Sequence, residues 1–315
     1  MLPPQQGAMW LEPCASQANL PPMITYEIAP PLRHLTVKNR MGSRQHYYHF
    51  LLGVLLPLAD YLARTGEATL PMMVRSCGPL DAILYELQLP RLMISDTESH
   101  QNLGDSLSPE VARKVGIAGF DIGLNIKAYD GEPIIAGARW VAERLAAAIA
   151  THREQLMQTW PATPRILIID RGPPDPFYAN SARSSRPTRG VGAQRRRVAN
   201  HAEMAAAVKQ RYPGAVNILL ENRPLAAQIA LFQLADVVVA QHGAALTNMV
   251  WMRRGTSVIE LAGGMPANEP FFTALTPHLG LRHLVFPQEG AFGPVDGVAL
   301  AAAIGKMVGG MQVAG

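Results

Sequence analysis

The sequence predicts an α/β protein built from two doubly wound domains, and three observations carry that expectation. Short apolar runs alternate with longer stretches of helical periodicity along most of the chain, the pattern of a parallel sheet covered by helices. The 315 residues exceed what one ordinary core accommodates and suit two domains. Between the two alternating series lies "QTWPATP" at 158–164, which has the composition of a linker.

Residues 1–33 are rich in Pro, Gln and Ala and read as an N-terminal extension that wraps the surface or frays. The first domain is expected over 34–158 and opens with a short strand, "HLTV" at 34–37. "RQHYYHFLLGVLLPLADYLART" at 44–65 has helical apolar spacing and stops at Gly66. "TLPMMV" at 69–74 reads as a strand, "GPLDAILYEL" at 78–87 as a helix with Pro near its start, and "RLMI" at 91–94 as a strand. "FDIGLNI" at 120–126 reads as a further strand, and 132–157 as one long helix.

The second domain is expected over 159–294. Its strands are "RILIID" (165–170), "VNILL" (216–220), "DVVVA" (236–240), "TSVIEL" (256–261) and "HLVF" (283–286). Helices fall at 201–212, with Asn200 as a candidate cap, at 222–235, with Pro224 in the first turn, from Ala244 onward, and at 270–279. A closing helix is expected at 295–308, within a final segment 295–315. Residues 171–197 fit no element. They are rich in Pro, Gly and Ser, carry seven arginines, and form a long loop of the kind that is functional or disordered in a compact domain.

Composition narrows the function classes. Hydrophobic residues make up 48% and charged residues 17%, so the chain can bury sizeable cores. A net charge of +4 and a pI near 9.2 suit an anionic ligand without requiring nucleic acid. Two cysteines, Cys14 and Cys77, exclude a disulfide scaffold and fit a reducing compartment. The apolar run at 50–59 is interrupted by Gly53 and Pro57 and is half the length of a bilayer span. No basic start followed by an apolar core opens the chain. No Cys/His cluster has zinc spacing, and "DTE" at 96–98 only echoes an Asp-x-Asp metal motif, so no metal is expected. "GVGAQR" at 190–195 lacks the third glycine and the preceding strand of a dinucleotide fingerprint.

The most informative stretch is "DVVVAQHGAALTNMVWM" at 236–252, where a buried strand turns into a helix through His242, Gly243 and Ala244. In a doubly wound sheet this turn lies on the ligand face, and a helix start there presents unpaired N–H groups. Gly243 and Ala244 would let an anion approach the backbone, and His242 could donate to a phosphate oxygen. The alternative is a tight turn that needs small residues, with His242 bonded to a carbonyl.

"QHGAALTNMVWM" followed by "SVIEL" resembles the C-terminal signature of glycosyltransferase family 61. The resemblance extends upstream through "ILIIDRG" (166–172), "RRVAN" (196–200) and "LLENRPLAAQIALFQLADVVVAQHGA" (219–244). In the first half, "HYYHFLLGVLLPL" (46–58) resembles the family's Asn-Tyr-x-His-Trp helix, with His46, Phe50 and Gly53 in place of its Asn, Trp and Asp. This resemblance implies a GT-B-like architecture: two Rossmann-like domains face a cleft, the second binds the nucleotide sugar, and the last helix crosses back to the first domain. It also implies inversion at the anomeric carbon by single displacement.

Such a reaction needs a base for the acceptor hydroxyl, charge for the leaving diphosphate and a grip on the nucleotide. Arg171, Arg196 and Arg197 are candidate diphosphate clamps, against the alternative of solvated arginines in a basic loop. Glu260, ending a strand, is placed to accept ribose hydroxyls or else to cap a loop. Gln228 would orient the ligand loop or lie on a polar helix face, and Asn248 would cap its helix or contact base or sugar. His49 is the candidate base, unless it is a satisfied core histidine, with Asp60, Asp81 and Asp96 as competitors. The expected substrates are a nucleotide sugar, UDP-linked, and a saccharide or lipid-linked acceptor. The expected location is cytoplasmic, with peripheral membrane contact left open and no bound cofactor. Two other readings stay open: a GT-B-like sugar-nucleotide epimerase or hydrolase, and a nucleic-acid binder using the arginine loop. The second lacks aromatic residues interleaved with its arginines.

Overall fold

A computed structural model describes residues 34–39, 44–66, 72–90, 92–95, 117–122, 131–179, 192–263 and 271–312. The N-terminal extension, the "DTE" stretch with Asp96, and 180–191 of the arginine-rich loop lie outside the described residues. The chain divides into two units that are not linear in sequence.

The first unit, over 1–39, 67–76 and 89–122, contains a four-stranded parallel sheet of order β3-β2-β1-β4. Its strands are β1 (His34–Asn39), β2 (Met72–Arg75), β3 (Leu92–Ser95) and β4 (Ile117–Ile122). β4 starts earlier than the expected 120–126, and residues 123–126 lie outside the described residues.

The second unit, over 40–66, 77–88 and 123–315, holds everything else, including helices from the first half of the chain. The expected break at 158/159 therefore falls inside it. The segment expected as one helix at 44–65 is α1, made of a turn at Tyr47–Phe50, a π-helical stretch at Leu51–Leu55 and a longer part at Leu56–Thr65. Pro57 accounts for the irregularity, because it cannot donate to the Gly53 carbonyl one turn back. The wider coil instead has Leu56 N–H donating to Leu51 O, five residues back. Gly66 ends α1 in the left-handed conformation.

After a 3₁₀ turn at Gly78–Leu80 comes α2 (Asp81–Glu86). The expected helix at 132–157 is two helices, α3 (Gly131–Arg144) and α4 (Ala146–Thr159), separated at Leu145. α3 packs closely on α1. A Cβ on Gly137 would lie 2.2 Å from the Leu56 carbonyl oxygen, so only glycine allows this approach.

The core of this unit is a five-stranded parallel sheet of order β6-β5-β7-β8-β9. Its strands are β5 (Ile166–Asp170), β6 (Val216–Leu219), β7 (Val237–Gln241), β8 (Ser257–Ala262) and β9 (Arg282–Pro287). β7 is buried at every position, which is why it reads as an unbroken apolar run rather than an alternation. The helices are α5 (Pro176–Ala179), α6 (His201–Arg211), α7 (Leu225–Leu234), α8 (Phe271–Leu279) and α9 (Gly297–Gln312). α7 is apolar apart from Gln228 and Gln233 and buried except at Gln233, as befits a helix enclosed by protein.

One face of the sheet carries Ile166, Ile168, Val237, Val239, Ile259 and Leu261 into a core shared with Val208 of α6 and Leu300 and Ile304 of α9. α9 packs on α6, β7 and β8, where its apolar stripe fits this core. Asn200 does not cap α6. It exchanges two hydrogen bonds with the backbone of Val295, at 2.9 and 3.0 Å, and so ties α6 to the start of α9.

Candidate functional site

Strand order locates the site. β6 lies on one side of β5 and β7 returns on the other, so the sheet reverses direction between β5 and β7. Ligands of open α/β sheets bind at such a reversal, outside the strand carboxyl ends. Arg171 follows β5 and His242 follows β7. Arg171 Nη2 donates to the His242 carbonyl at 2.6 Å, and Arg196 Nη1 donates to the same oxygen at 3.2 Å. A carbonyl neutralises neither charge. Burial, Arg196 and Arg195 together pull the Arg171 guanidinium down to about 10, with Glu221 opposing them. This is a concentrated positive potential that favours an anion.

Gly243 has φ 161°, an extended backbone that any residue adopts. Its smallness is needed for another reason: a Cβ there would sit 1.8 Å from Arg171 Nη2. Ala244 opens the expected helix, Ala244–Trp251, which is of the 3₁₀ type. Gly172 N–H donates to Glu221 Oε1 at 2.9 Å, and a Cβ on Gly192 would lie 2.8 Å from the Gly172 carbonyl oxygen. The described ends of the arginine-rich loop thus fold back on each other beside Arg171.

Glu260 is buried, and both of its oxygens face histidines: Oε1 is bonded by His242 Nδ1, and Oε2 lies 2.9 Å from His283 Nε2. Burial pushes this carboxyl up, but the histidines on either side outweigh burial and hold it near 2.

Gln228 and Asn248 form a separate buried network. Asn248 Nδ2 donates to Gln228 Oε1 at 3.1 Å and to Ala245 O at 3.3 Å. Its Oδ1 accepts from Tyr47 O–H at 2.7 Å and from Trp251 Nε1 at 3.0 Å. Four bonds saturate the Asn248 amide and pin the 3₁₀ helix to α1. Gln228 Nε2 donates to Arg223 O at 3.0 Å.

His49 lies in an aromatic cluster. Its ring centroid is 5.2 Å from that of Tyr48 and 6.2 Å from that of His46, and His46 is 6.0 Å from Tyr178. Tyr48 and His242 each meet Phe272 edge-on, so the cluster runs continuously to His242. Burial, then His46 and Arg195, lower the His49 pKa to about 4. Asp60 accepts from Arg64 at 2.8 Å, and Asp81 accepts from the Cys77 N–H at 2.6 Å. Among the described residues, no group of three His, Cys, Asp or Glu side chains could hold a metal ion.

A family model, Glycosyltransferase 61, matches residues 47–259, more than half of the chain. The chain belongs to glycosyltransferase family 61. Family 61 membership makes it a glycosyltransferase, which implies a sugar donor and an acceptor. No curated protein matches it. The family 61 match covers α1 with His49, Arg171, Arg196, Gln228, Asn248 and the His242–Ala244 turn; it ends one residue before Glu260. No helix among the described residues is long and apolar enough to cross a membrane.

Sequence reading missed Arg195, Glu221, Tyr47, Phe272 and His283. Arg195 was legible as the neighbour of Arg196, and His283 as a polar residue beside Glu260 in adjacent apolar strands. Glu86 carried no local signal. Its carboxylate accepts from the N–H groups of Leu225 and Ala226, both at 2.8 Å, and caps α7 from 139 residues away.

Proposed function

We propose that this glycosyltransferase inverts the anomeric carbon as it moves a sugar from a nucleotide diphosphate donor, most simply a UDP-sugar, to a saccharide or lipid-linked acceptor of surface-polysaccharide synthesis, without a metal ion. The observation that carries this reading is the convergence of Arg171 and Arg196 on the His242 carbonyl at the reversal point of the sheet. The donor diphosphate occupies the positive potential of Arg171, Arg195 and Arg196, with His242 as a further donor. Charge that develops on the leaving diphosphate is met there by groups already in place, which is where such groups accelerate the reaction most. Gly243 and Ala244 keep the approach open. Gln228 and Asn248 hold the turn without touching the ligand.

His49 serves as the base for the acceptor hydroxyl. Its depressed pKa keeps the imidazole in the neutral form that a general base requires at physiological pH. The five-stranded unit is the donor-binding half of a GT-B-like arrangement. The reading suits a cytoplasmic enzyme that works at the membrane surface on a lipid-linked acceptor.

Thermal-shift measurements against UDP-, GDP-, CMP- and dTDP-sugars test the donor. A ligand that binds only the native state raises its apparent stability by mass action. A UDP-sugar is expected to raise the melting temperature most. Equal insensitivity to all four would overturn the reading.

A further inference from the structure

Two buried glutamines bridge the end of β7 to the segment that carries Arg196. Gln241 is the last residue of β7, and Gln288 directly follows β9. They are 5% and 7% exposed, so water would not replace a bond that either one lost. Gln241 Nε2 donates to Gln288 Oε1 at 2.8 Å and to the Ala291 carbonyl at 3.1 Å. Gln288 Nε2 donates to the carbonyls of Arg197 and Gly293, at 3.1 and 3.0 Å. Each Nε2 faces two carbonyl oxygens, which fixes the orientation of both amides.

The backbone completes this brace. Arg197 N–H donates to Ala291 O at 3.0 Å, and Ala199 N–H donates to Gly293 O at 3.2 Å. The turn at 288–293 that offers these carbonyls is itself held closely. Gly290 takes φ 61°, in the left-handed region, and a Cβ on Gly263, just after β8, would lie 1.9 Å from the Gly290 carbonyl oxygen. On its other side the segment is tied down where Ala193 N–H donates to Gly172 O at 3.0 Å. The end of β7 therefore meets the arginine segment twice. The His242 carbonyl takes the Arg196 guanidinium, and Gln241, one residue earlier, reaches the Arg197 carbonyl through Gln288.

We propose that Gln241 and Gln288 are positioning residues that hold Arg196 at the diphosphate grip before the donor arrives. Holding is needed because the guanidiniums repel: besides burial, Arg196 and Arg195 both pull the Arg171 guanidinium down. A carboxylate in the brace would cancel part of the positive potential, whereas a neutral amide holds the backbone and leaves that potential whole. Groups fixed beforehand need not be ordered on binding or as charge develops on the diphosphate. Neither glutamine touches the ligand. Both act through the backbone of Arg197.

This inference rests on the diphosphate reading, and calorimetry with UDP and uridine separates the two. Gln288→Leu removes both donated bonds and the acceptor of Gln241. UDP affinity should fall about tenfold, the scale of lost neutral hydrogen bonds, with uridine affinity unchanged. In an Arg196→Ala background the same substitution should cost no further UDP affinity, because a residue that acts through another is not additive with it. An undiminished loss in that background, or an equal loss for uridine, overturns the inference. If Gln288→Leu does not fold, hydrogen exchange of the native protein decides. The Arg197 and Ala199 amides should be protected before UDP is added and change little with it. Amides that exchange freely until UDP binds overturn the inference. UDP binding lost in Arg171→Ala and Arg196→Ala but native-like in Gln288→Leu overturns the positioning role alone. Native-like UDP binding in both arginine variants overturns the diphosphate reading and this inference with it.

Discussion

Arg171 crosses in front of Gly243 to reach the His242 carbonyl, and the space it crosses is the space a side chain at 243 would fill. Gly243→Ala therefore displaces the guanidinium rather than straining the backbone, which is extended there. UDP affinity should fall by about tenfold or more, the scale of a lost charge-assisted hydrogen bond of roughly 1.5–3 kcal/mol. Uridine affinity and melting temperature should change little. Equal losses for both ligands in calorimetry would mean that the turn holds the base or the fold.

Transfer should survive chelation. Guanidiniums at the reversal point take the place of a cation on the diphosphate in this reading. Activity assayed after dialysis against EDTA is expected to match the untreated enzyme. Loss of turnover restored by manganese would relocate the leaving-group site.

His49→Ala should lower transfer by roughly 10²–10⁴-fold with UDP binding intact, as expected for removal of a general base. The pH dependence has a definite sign. His49 takes up a proton near 4 in the native state and near 6.5 when unfolded. Turnover should therefore climb with pH through about 4. Between 6.5 and 4 the unfolded chain binds more protons, so stability is full above 6.5 and declines as pH falls through that window. Chemical denaturation at pH 7 and pH 5 should show the decline in the native protein and a smaller one in His49→Ala.

Asn248→Ala should unfold the donor side before it affects chemistry. The substitution strips Tyr47, Trp251 and Gln228 of a buried partner each. Unsatisfied buried groups cost about 1–3 kcal/mol apiece, so a loss of about 3 kcal/mol or more is expected in denaturant melts. Tyr47→Phe removes one bond and should cost about 1 kcal/mol.

Glu86→Ala uncaps α7 and should cost about 1–2 kcal/mol in the same assay. Glu86→Gln, with a single acceptor oxygen for two N–H groups, should fall between the native protein and the alanine variant.

The five-stranded sheet was legible because burial on both faces writes itself as unbroken apolar runs, as at 237–240. The Arg171 and His242 positions were legible because each follows such a run by one polar residue, Asp170 and Gln241. What local pattern could not show is how distant residues meet. Glu260 looked like a strand-end carboxylate awaiting a ligand, and only its neighbours on both sides, His242 after β7 and His283 on β9, reveal a histidine at each oxygen. The break at Leu145 was hidden because helical periodicity continues across it. Asn200 looked like a cap, yet its partner Val295 lies 95 residues on.

The π-helical stretch at Leu51–Leu55 divides α1 into an anchored half and a presenting half. Leu56–Thr65 is fixed by the close approach of Gly137 to Leu56, while His46 and His49 lie on the other side of the wide turn. One residue of an α-helix spans about 100° of azimuth and 1.5 Å of rise. The surplus residue in the wide turn therefore acts as a dial setting. Deleting Gly53 would turn the half that carries His46 and His49 by about that angle relative to the half held at Gly137, and with it Tyr47, which donates to Asn248. If His49 is the base, its placement is thus adjustable by a single-residue insertion or deletion in α1, and Tyr47, bonded to Asn248, reports the turn.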